Sequence, residues 1–437
     1  MNLQGTMEVN EKGNLEIAGH DVEELARDYE TPLYILDEAE LRANCRAYRE
    51  AFTKHYPNSL TLFAGKAFMS LATLCLFDEE GLGLDVVSGG ELYTALEANF
   101  PPEKIYFHGN NKTPDEIEQA LDAEIGYFVV DNEHEIRLLN KLAKKHEIKQ
   151  QVLIRVTPGI EAHTHSYIQT GQQDSKFGVG IQNGLALDII EQARDCSNLD
   201  IVGLHCHIGS QIFELESFEK TASVMMDFAA EVRDELDLTV EQLNLGGGVG
   251  IPYTEEEEKP DIEEYAKIVA TTIERKAKEL DFPLPKVVNE PGRSIVGTAG
   301  STLYQVGSVK EIPGIRKYVA VDGGMTDNIR PALYDATYDA IAANKADQSP
   351  KEEVTITGKC CESGDILIEG IKLPKLEPGD LLLTPCTGAY GYAMSNNYNG
   401  IPRPGVLLVN EESTDWIIKP ESYQDLIKNN VVPKHLK

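Results

Sequence analysis

Eight short apolar runs recur along the first three-quarters of the chain, and they limit its possible folds more than any other feature. The runs are residues 61–64, 83–87, 104–107, 126–130, 151–156, 201–204, 242–245 and 286–289. Each run is followed by a loop that holds a reactive or ligand-binding side chain. Strands with polar chemistry at their carboxyl ends are typical of a (β/α)8 barrel, whose site is built from the loops after the strands.

Segments of helical periodicity separate these runs, for example residues 114–121, 132–142 and 218–236. Strand followed by helix, repeated, predicts a parallel sheet. Thr113 and Ser217 are predicted helix caps, because a hydroxyl oxygen can accept the first free backbone N–H groups of the helix that follows.

The pattern changes near residue 310, where β-rich runs are broken by glycine and proline. These runs are residues 319–321, 354–357, 365–368, 380–383 and 406–409, and they predict an antiparallel β domain. Two strand-like pieces near the amino terminus, residues 14–17 and 32–36, are predicted to join it. The predicted organisation is N-terminal strands over 1–37, a barrel over 38–309 and a β domain over 310–437.

Charge and hydropathy exclude several classes of partner. The chain has 40 basic and 72 acidic residues and a formal charge of −32, which opposes binding to a phosphate backbone and argues against nucleic acid. No apolar stretch approaches the roughly 20 residues of a membrane helix, and the amino terminus lacks the order of a secretory signal. We therefore expect a soluble, cytoplasmic protein. The acidic run 255–258 is predicted to be a solvated loop.

Three residue patterns at the predicted strand ends point to one cofactor. The glycines 246–248 expose backbone N–H groups and Arg293 adds a planar cation, so together they form a possible phosphate cradle. Lys66 is expected to be a desolvated amine, suited to forming an imine with a carbonyl. Glu290 could hold a pyridine nitrogen in its protonated form. An amine, an anion cradle and a carboxylate in one barrel mouth fit pyridoxal 5′-phosphate.

Two histidines after the sixth run allow a second interpretation. His207 could stack on the face of the cofactor, with Ser210 reaching the phosphate and His205 in the core. The spacing of His205 and His207 also suits a metal, but the sequence offers no further carboxylate and histidine ligands at suitable strand ends. No metal is therefore expected.

Several motifs together resemble the fold-type III pyridoxal-phosphate decarboxylases over nearly the whole chain. They are FAGKA (63–67), DVVSGGEL (85–92), HCHIGS (205–210), LGGG (245–248), EPGR (290–293), CESGD (361–365) and GAY (388–390). Within that family, HTHSYIQTG (163–171), SKFG (175–178) and DGGMTDNIRPALY (322–334) are most similar to the branch that acts on meso-2,6-diaminopimelate. The resemblance implies decarboxylation of that substrate to L-lysine, the last step of lysine biosynthesis.

The resemblance also implies a role for each matching residue. Lys66 would carry the cofactor as an imine, His207 would stack on its ring, and Cys361 would return a proton to the substrate. The residues implied to bind the cofactor are Lys66, Asp85, His207, Ser210, Gly246, Gly247, Gly248, Glu290, Gly292, Arg293 and Tyr390. Those implied to bind the substrate are Arg293, Arg330, Tyr334, Glu362 and Tyr390.

The same resemblance implies a homodimer with shared active sites, in which Cys361 and Glu362 come from the partner subunit. Glu362 would meet the distal amine of the substrate, while Arg330 and Tyr334 hold its distal carboxylate. Phe68 departs from the common pattern, because many relatives have asparagine there; this is interpreted as variation in local packing.

Three alternatives remain on sequence grounds. The first is a decarboxylase of ornithine, arginine or lysine, although Arg330 would repel a distal amine. The second is alanine racemase, whose motifs do not match. The third is a silent homologue that regulates a true decarboxylase, although such a protein is expected to have lost Lys66 or Cys361, and both are present.

Overall fold

The computed structural model describes residues 3–160 and 175–437, and these fold into two compact units. The barrel unit comprises Arg42–Ile251 and Lys259–Ile295. The β unit comprises Met1–Leu41, Pro252–Glu258 and Val296–Lys437. The three-part division at residues 37/38 and 309/310 stays a prediction.

The first elements of the β unit precede the barrel in sequence. They are strands β1 (Glu8–Val9), β2 (Leu15–Ile17), β3 (His20–Asp21) and β4 (Leu33–Asp37), with helix α1 (Val22–Tyr29) between β3 and β4. Strands β1, β2 and β3 form a small antiparallel sheet of their own. Residues 14–17 do not pair with the carboxyl-terminal strands, but Leu15 and Ile17 pack in the same apolar core as Leu303 and Leu407, so the prediction that this piece joins the β domain is confirmed.

Parallel strands form the barrel, and the predicted (β/α)8 fold is confirmed. The strands are β5 (Ser59–Ala64), β6 (Gly83–Val86), β7 (Ile105–Phe107), β8 (Tyr127–Val130), β9 (Gln150–Thr157), β10 (Val179–Gly180), β11 (Leu199–His205), β12 (Gln242–Asn244) and β13 (Lys286–Asn289). The order β5-β6-β7-β8-β9-β11-β12-β13 closes because β13 pairs with β5. The short strand β10 is added to β9, outside this ring.

A layer of apolar side chains fills the barrel. Its members come from six strands of the ring: Leu62, Tyr106, Val129, Leu153, Val202 and Val288. All six are at most 5% exposed, so the barrel interior is a packed core. Chemistry is therefore confined to the ends of the strands.

Helices follow the barrel strands as the periodicity predicts. They are α2 (Glu38–His55), α3 (Leu71–Glu79), α4 (Gly89–Glu97), α5 (Pro114–Asp122), α6 (Glu133–Lys145), α7 (Leu185–Arg194), α8 (Glu216–Leu236), α9 (Ile262–Glu279) and α10 (Arg293–Val296). The predicted cap Thr113 is confirmed, since its side chain accepts a hydrogen bond from the Glu116 N–H. The predicted cap Ser217 is wrong, because α8 begins at Glu216 and Ser217 therefore lies inside its first turn. The carbonyl of Ser217 accepts a hydrogen bond from the Thr221 hydroxyl.

The β unit is a mixed sheet. Its remaining strands are β14 (Gly300–Ile312), β15 (Arg316–Val321), β16 (Ile341–Ala342), β17 (Glu352–Thr357), β18 (Ile366–Leu373), β19 (Leu381–Thr384), β20 (Gly405–Val409) and β21 (Thr414–Ile418). Two short helices, α11 (Arg330–Tyr334) and α12 (Tyr423–Ile427), complete it.

These strands have the order β18-β17-β15-β14-β4-β20-β21, and β19 pairs with β14 and β16. As predicted from residues 32–36, β4 joins this sheet, where it lies between β14 and β20. Most neighbouring strands are antiparallel, as predicted, but β15 runs parallel to β17 and β20 runs parallel to β4. The β-rich character of the domain is confirmed. Among the described residues, no helix is long and apolar enough to cross a membrane.

Candidate active site

The glycine triplet follows β12 and brings bare backbone to the barrel mouth. Gly246 and Gly248 have φ angles of +69° and +121°, which side chains rarely adopt. A Cβ atom on Gly247 would lie 2.1 Å from the carbonyl oxygen of Glu290. Glycine is therefore required at this turn for its backbone angles and for close packing.

Ser210, His207 and Arg293 surround this turn. Arg293 donates to the Ser210 hydroxyl from Nε at 3.2 Å and from Nη2 at 3.0 Å. His207 Nδ1 accepts the N–H of Gly247 at 3.3 Å, which fixes the orientation of the ring. Burial, and then the charge of Lys66, hold the pKa of His207 well below its usual range. The imidazole is therefore neutral, in keeping with Nδ1 acting as an acceptor.

Lys66 lies on a short 3₁₀ turn, Gly65–Ala67, directly after β5. Its positive charge lowers the pKa of Asp85, of Glu91 and of His207, although burial is the larger cause at each of these groups. The residue is exposed in the single chain, and the prediction of a desolvated amine is wrong for it. Gly292 packs against this turn, since a Cβ there would lie 3.1 Å from the Cβ of Ala67.

Three side chains, those of Asn244, His108 and His205, surround the carboxylate of Glu290, which follows β13. Asn244 Nδ2 donates to Oε1 at 2.6 Å, and His108 Nε2 lies 2.8 Å from the same oxygen. His205 Nε2 lies 3.2 Å from Oε2. Burial alone would raise the pKa of Glu290, but the neighbouring His108 and His205 hold it well below its usual range. Glu290 is therefore a buried, ionised carboxylate.

The amide of Asn244 connects this carboxylate to the glycine triplet. Its Oδ1 accepts the N–H of Gly246 at 3.0 Å while its Nδ2 donates to Glu290. Asp85 lies next to this group of polar side chains, since one of its oxygens is 3.8 Å from His108 Nε2. Burial raises the pKa of Asp85.

His108, His205 and Glu290 also have the geometry of a possible metal site, since their ligand atoms lie within 4.8 Å of one another. The sequence argument against a metal, that no further histidine and carboxylate meet at the strand ends, is therefore wrong in its premise. We interpret the group as a cluster that holds the carboxylate in place, because Asn244 and His205 hydrogen-bond to it and His108 Nε2 lies 2.8 Å from Oε1. His207, which the motif paired with His205, contacts the glycine triplet instead.

The remaining predicted site residues lie in the β unit. Arg330 begins α11 and is only 7% exposed; its guanidinium donates to the Tyr338 hydroxyl and lies 4.8 Å from the ring of Tyr253. Tyr334 and Tyr390 are half-buried.

Cys361 and Glu362 are both exposed, on the loop between β17 and β18. Asn399 Oδ1 accepts the N–H of Cys361 at 2.8 Å, and Asp365 Oδ2 accepts that of Cys360 at 2.8 Å. Asp365 also accepts the N–H of Met325 at 2.7 Å, so the CESGD and DGGMTDN motifs are joined by hydrogen bonds. Cys361 is thus an exposed thiol and not a buried apolar one, and Cys360 is half-buried.

Known proteins resemble this chain over its full length. A family model of the pyridoxal-dependent decarboxylases, for their pyridoxal binding domain, matches residues 38–297. The diaminopimelate decarboxylase of Bacillus subtilis is 50% identical over 428 residues, 98% of this chain and 98% of that protein. That of Bacillus methanolicus is 50% identical over 419 residues, 96% of this chain and 97% of that protein. The crystal structure of diaminopimelate decarboxylase from M. jannaschii with L-lysine has a TM-score of 0.93 at 38% identity, covering 99% of both chains.

The chain belongs to the diaminopimelate decarboxylase family. The resemblance predicted from its motifs is confirmed, and so is the cofactor, pyridoxal 5′-phosphate. The barrel residues of this family member fit that group. Ser210 and Arg293 are donors suited to a phosphate, whereas the N–H groups of Gly246 and Gly247 already donate to Asn244 and His207. Glu290 is a buried anion suited to a protonated ring nitrogen. Asp85 Oδ1 is buried and accepts no hydrogen bond from the described residues, so it can accept one from a ligand.

Sequence analysis missed several residues that shape this decarboxylase site. Asn244, inside the strand before the glycine triplet, was treated as part of an apolar run, although a buried amide in a barrel strand is itself a signal. His108 follows β7, and nothing in its sequence context predicts that it lies against Glu290. Tyr253, Tyr338 and Asn399 gave no signal. The family motif 163–171 lies outside the described residues.

Proposed function

We propose that the residues described above carry out the reaction of this family on meso-2,6-diaminopimelate, in the following division of roles. The main support for the proposal is the buried, ionised carboxylate of Glu290 beside the glycine triplet. The side chain of Asn244 hydrogen-bonds to both of them. A buried carboxylate is stabilised further by a cationic partner. A protonated pyridine nitrogen is such a partner.

The cofactor half of the site belongs to the barrel unit. Gly246, Gly247, Gly248, Ser210 and Arg293 would bind the phosphate, and Glu290 would hold the ring nitrogen in its protonated form. Lys66 would hold the cofactor through Nζ until the substrate amine replaces it, with His207 against the ring. When bound, pyridoxal phosphate supplies an electron-withdrawing ring that accepts the electron pair of the bond broken at the substrate's α-carbon.

The substrate half belongs to the β unit. Arg330 and Tyr334 would bind the distal carboxylate, Glu362 the distal ammonium group, and Tyr390 the region near the phosphate. The α-carboxylate leaves as carbon dioxide, and Cys361 would donate the proton that takes its place on the same carbon. One carbon dioxide is released and one proton is taken up for each L-lysine formed.

The exposure of Cys361 and Glu362 supports a shared site. A proton donor and a carboxylate that recognises an ammonium group function poorly in bulk solvent, because water screens the charge and competes for the proton. A second copy of the chain would cover them. The protein would act as a homodimer in the cytoplasm, where free cysteines such as Cys361 stay reduced.

Carbon dioxide release from matched substrates tests the proposal. With pyridoxal phosphate present, we expect kcat/KM for meso-2,6-diaminopimelate to exceed that for ornithine and for L-lysine by at least about 100-fold. The reason is that Arg330 pairs with a distal carboxylate and repels a distal amine. Comparable release from ornithine would instead favour the general basic amino-acid decarboxylase.

Replacement of Glu290 by glutamine tests whether the reaction depends on the charge of this carboxylate. The amide preserves size but not charge, so we expect kcat to fall about 100-fold or more while bound pyridoxal phosphate remains measurable by absorbance. The matched control is Glu264→Gln, which removes an exposed carboxylate of α9 and is expected to leave kcat unchanged. An unaltered kcat in Glu290→Gln would mean that the ring nitrogen does not depend on this charge.

A further inference from the structure

Arg330 is a buried cation without a partner of opposite charge among the described residues. The side chain is 7% exposed, and its contacts are with two phenols. The guanidinium carbon lies 4.8 Å from the ring centre of Tyr253 and 5.6 Å from that of Tyr338, whose hydroxyl accepts a hydrogen bond from Nη1. Burial of a charge is costly unless it is paired. Here aromatic faces and a neutral acceptor lower that cost without cancelling the charge.

The rings of Tyr253 and Tyr338 pack closely against each other. Their rings meet edge to face, with centres 5.1 Å apart and planes at 78°. Tyr253 is 5% exposed and Tyr338 is 3% exposed. A guanidinium packed against these two rings has few alternative rotamers, so the orientation of the Arg330 guanidinium is fixed.

The segment that carries Tyr253 is anchored in the β unit, although its neighbours in sequence belong to the barrel unit. The carboxylate of Glu257 accepts the N–H groups of Tyr253 at 2.8 Å and Thr254 at 3.3 Å. Asp339, next to Tyr338, accepts the N–H of Glu255 at 3.1 Å. The acidic run 255–258, predicted to be only a solvated loop, therefore fixes the backbone of Tyr253.

We propose that Tyr253 and Tyr338 are positioning residues for substrate recognition, which hold the Arg330 guanidinium aligned and uncompensated for the distal carboxylate. This inference rests on the proposed function, since it concerns the same substrate. Neither tyrosine acts on the reacting carbon. Their effect is on the affinity for one carboxylate group, and it is absent for ligands that lack that group.

L-lysine and 1,5-diaminopentane form a matched pair of probes, because they differ only by that carboxylate. Each is titrated into the holoenzyme, and binding is followed by the change in cofactor absorbance, which needs no turnover. In Tyr253→Leu we expect the dissociation constant of L-lysine to rise roughly tenfold and that of 1,5-diaminopentane to stay within about twofold. Tyr253→Phe keeps the ring face and is expected to change L-lysine binding by less than about threefold.

Two further variants extend the test to the segment. Glu257→Gln weakens the anchor of Tyr253 and is expected to reduce L-lysine binding selectively, whereas Glu256→Gln, an exposed neighbour in the same acidic run, is the control. Equal weakening of both probes in Tyr253→Leu, or no weakening of either, would overturn the inference. The proposed function fails separately, if the wild-type enzyme releases no carbon dioxide from meso-2,6-diaminopimelate.

Discussion

Lys66→Ala is expected to abolish the near-visible absorbance of the bound cofactor and to lower turnover by at least about 1000-fold. The ε-amine is the only group of the proposed site that can hold the cofactor covalently, and alanine offers no nitrogen in its place. Absorbance spectra of the purified protein and carbon dioxide release measure the two effects. The charge of Lys66 acts on Asp85, Glu91 and His207, so loss of this amine should also change the affinity for the cofactor.

The matched control is Lys149→Ala. Lys149 is exposed and precedes β9 at the amino end of the strand, so it lies away from the catalytic end and its removal should leave both spectrum and turnover intact. A normal absorbance band in the Lys66 variant would refute the assignment of Lys66, whatever the activity.

Cys361→Ala is the second variant for which we expect a large loss of activity. We expect kcat to fall about 100-fold or more with the cofactor band retained, because only the proton donor is lost. Cys360→Ala, next to it in sequence, is the control, since Asp365 holds the backbone N–H of residue 360 whatever its side chain. Unchanged turnover in Cys361→Ala would remove this thiol from the mechanism.

The same variant tests the shared site. If Cys361 acts in the partner's site, mixing Cys361→Ala with Lys66→Ala protein creates mixed dimers with one intact site, and activity returns. If each chain uses its own Cys361, mixing two inactive proteins restores nothing. The second result would leave the decarboxylase intact and reject the shared arrangement.

Most of the fold follows from local sequence pattern. Strands of a parallel barrel are buried on both faces, so they appear as unbroken apolar runs, and all eight predicted runs are strands of the ring. Strand β14 was missed because only its first half is buried; from Gln305 onward exposed positions dominate. The predicted domain boundary at 309/310 falls inside this strand for the same reason.

The site residues, likewise, could be predicted only in part from the local sequence. Lys66, Glu290 and the glycine triplet were predictable because each follows a strand, and strand order alone brings their ends together. Asn244 was not, since its role depends on Glu290, which is 46 positions away in sequence. Tyr253 was not predictable either: it precedes an acidic run, and only the three-dimensional path of the chain shows that this run is an anchor.

That path has a practical consequence for protein engineering. The polypeptide passes from one unit to the other at 41/42, 251/252, 258/259 and 295/296, so neither unit corresponds to a continuous stretch of gene. A chimera that exchanged the β unit between relatives by simple end-to-end fusion would keep the host's residues 252–258. It would then combine one parent's Arg330 with the other parent's Tyr253. Grafting must therefore transfer this short piece together with both ends.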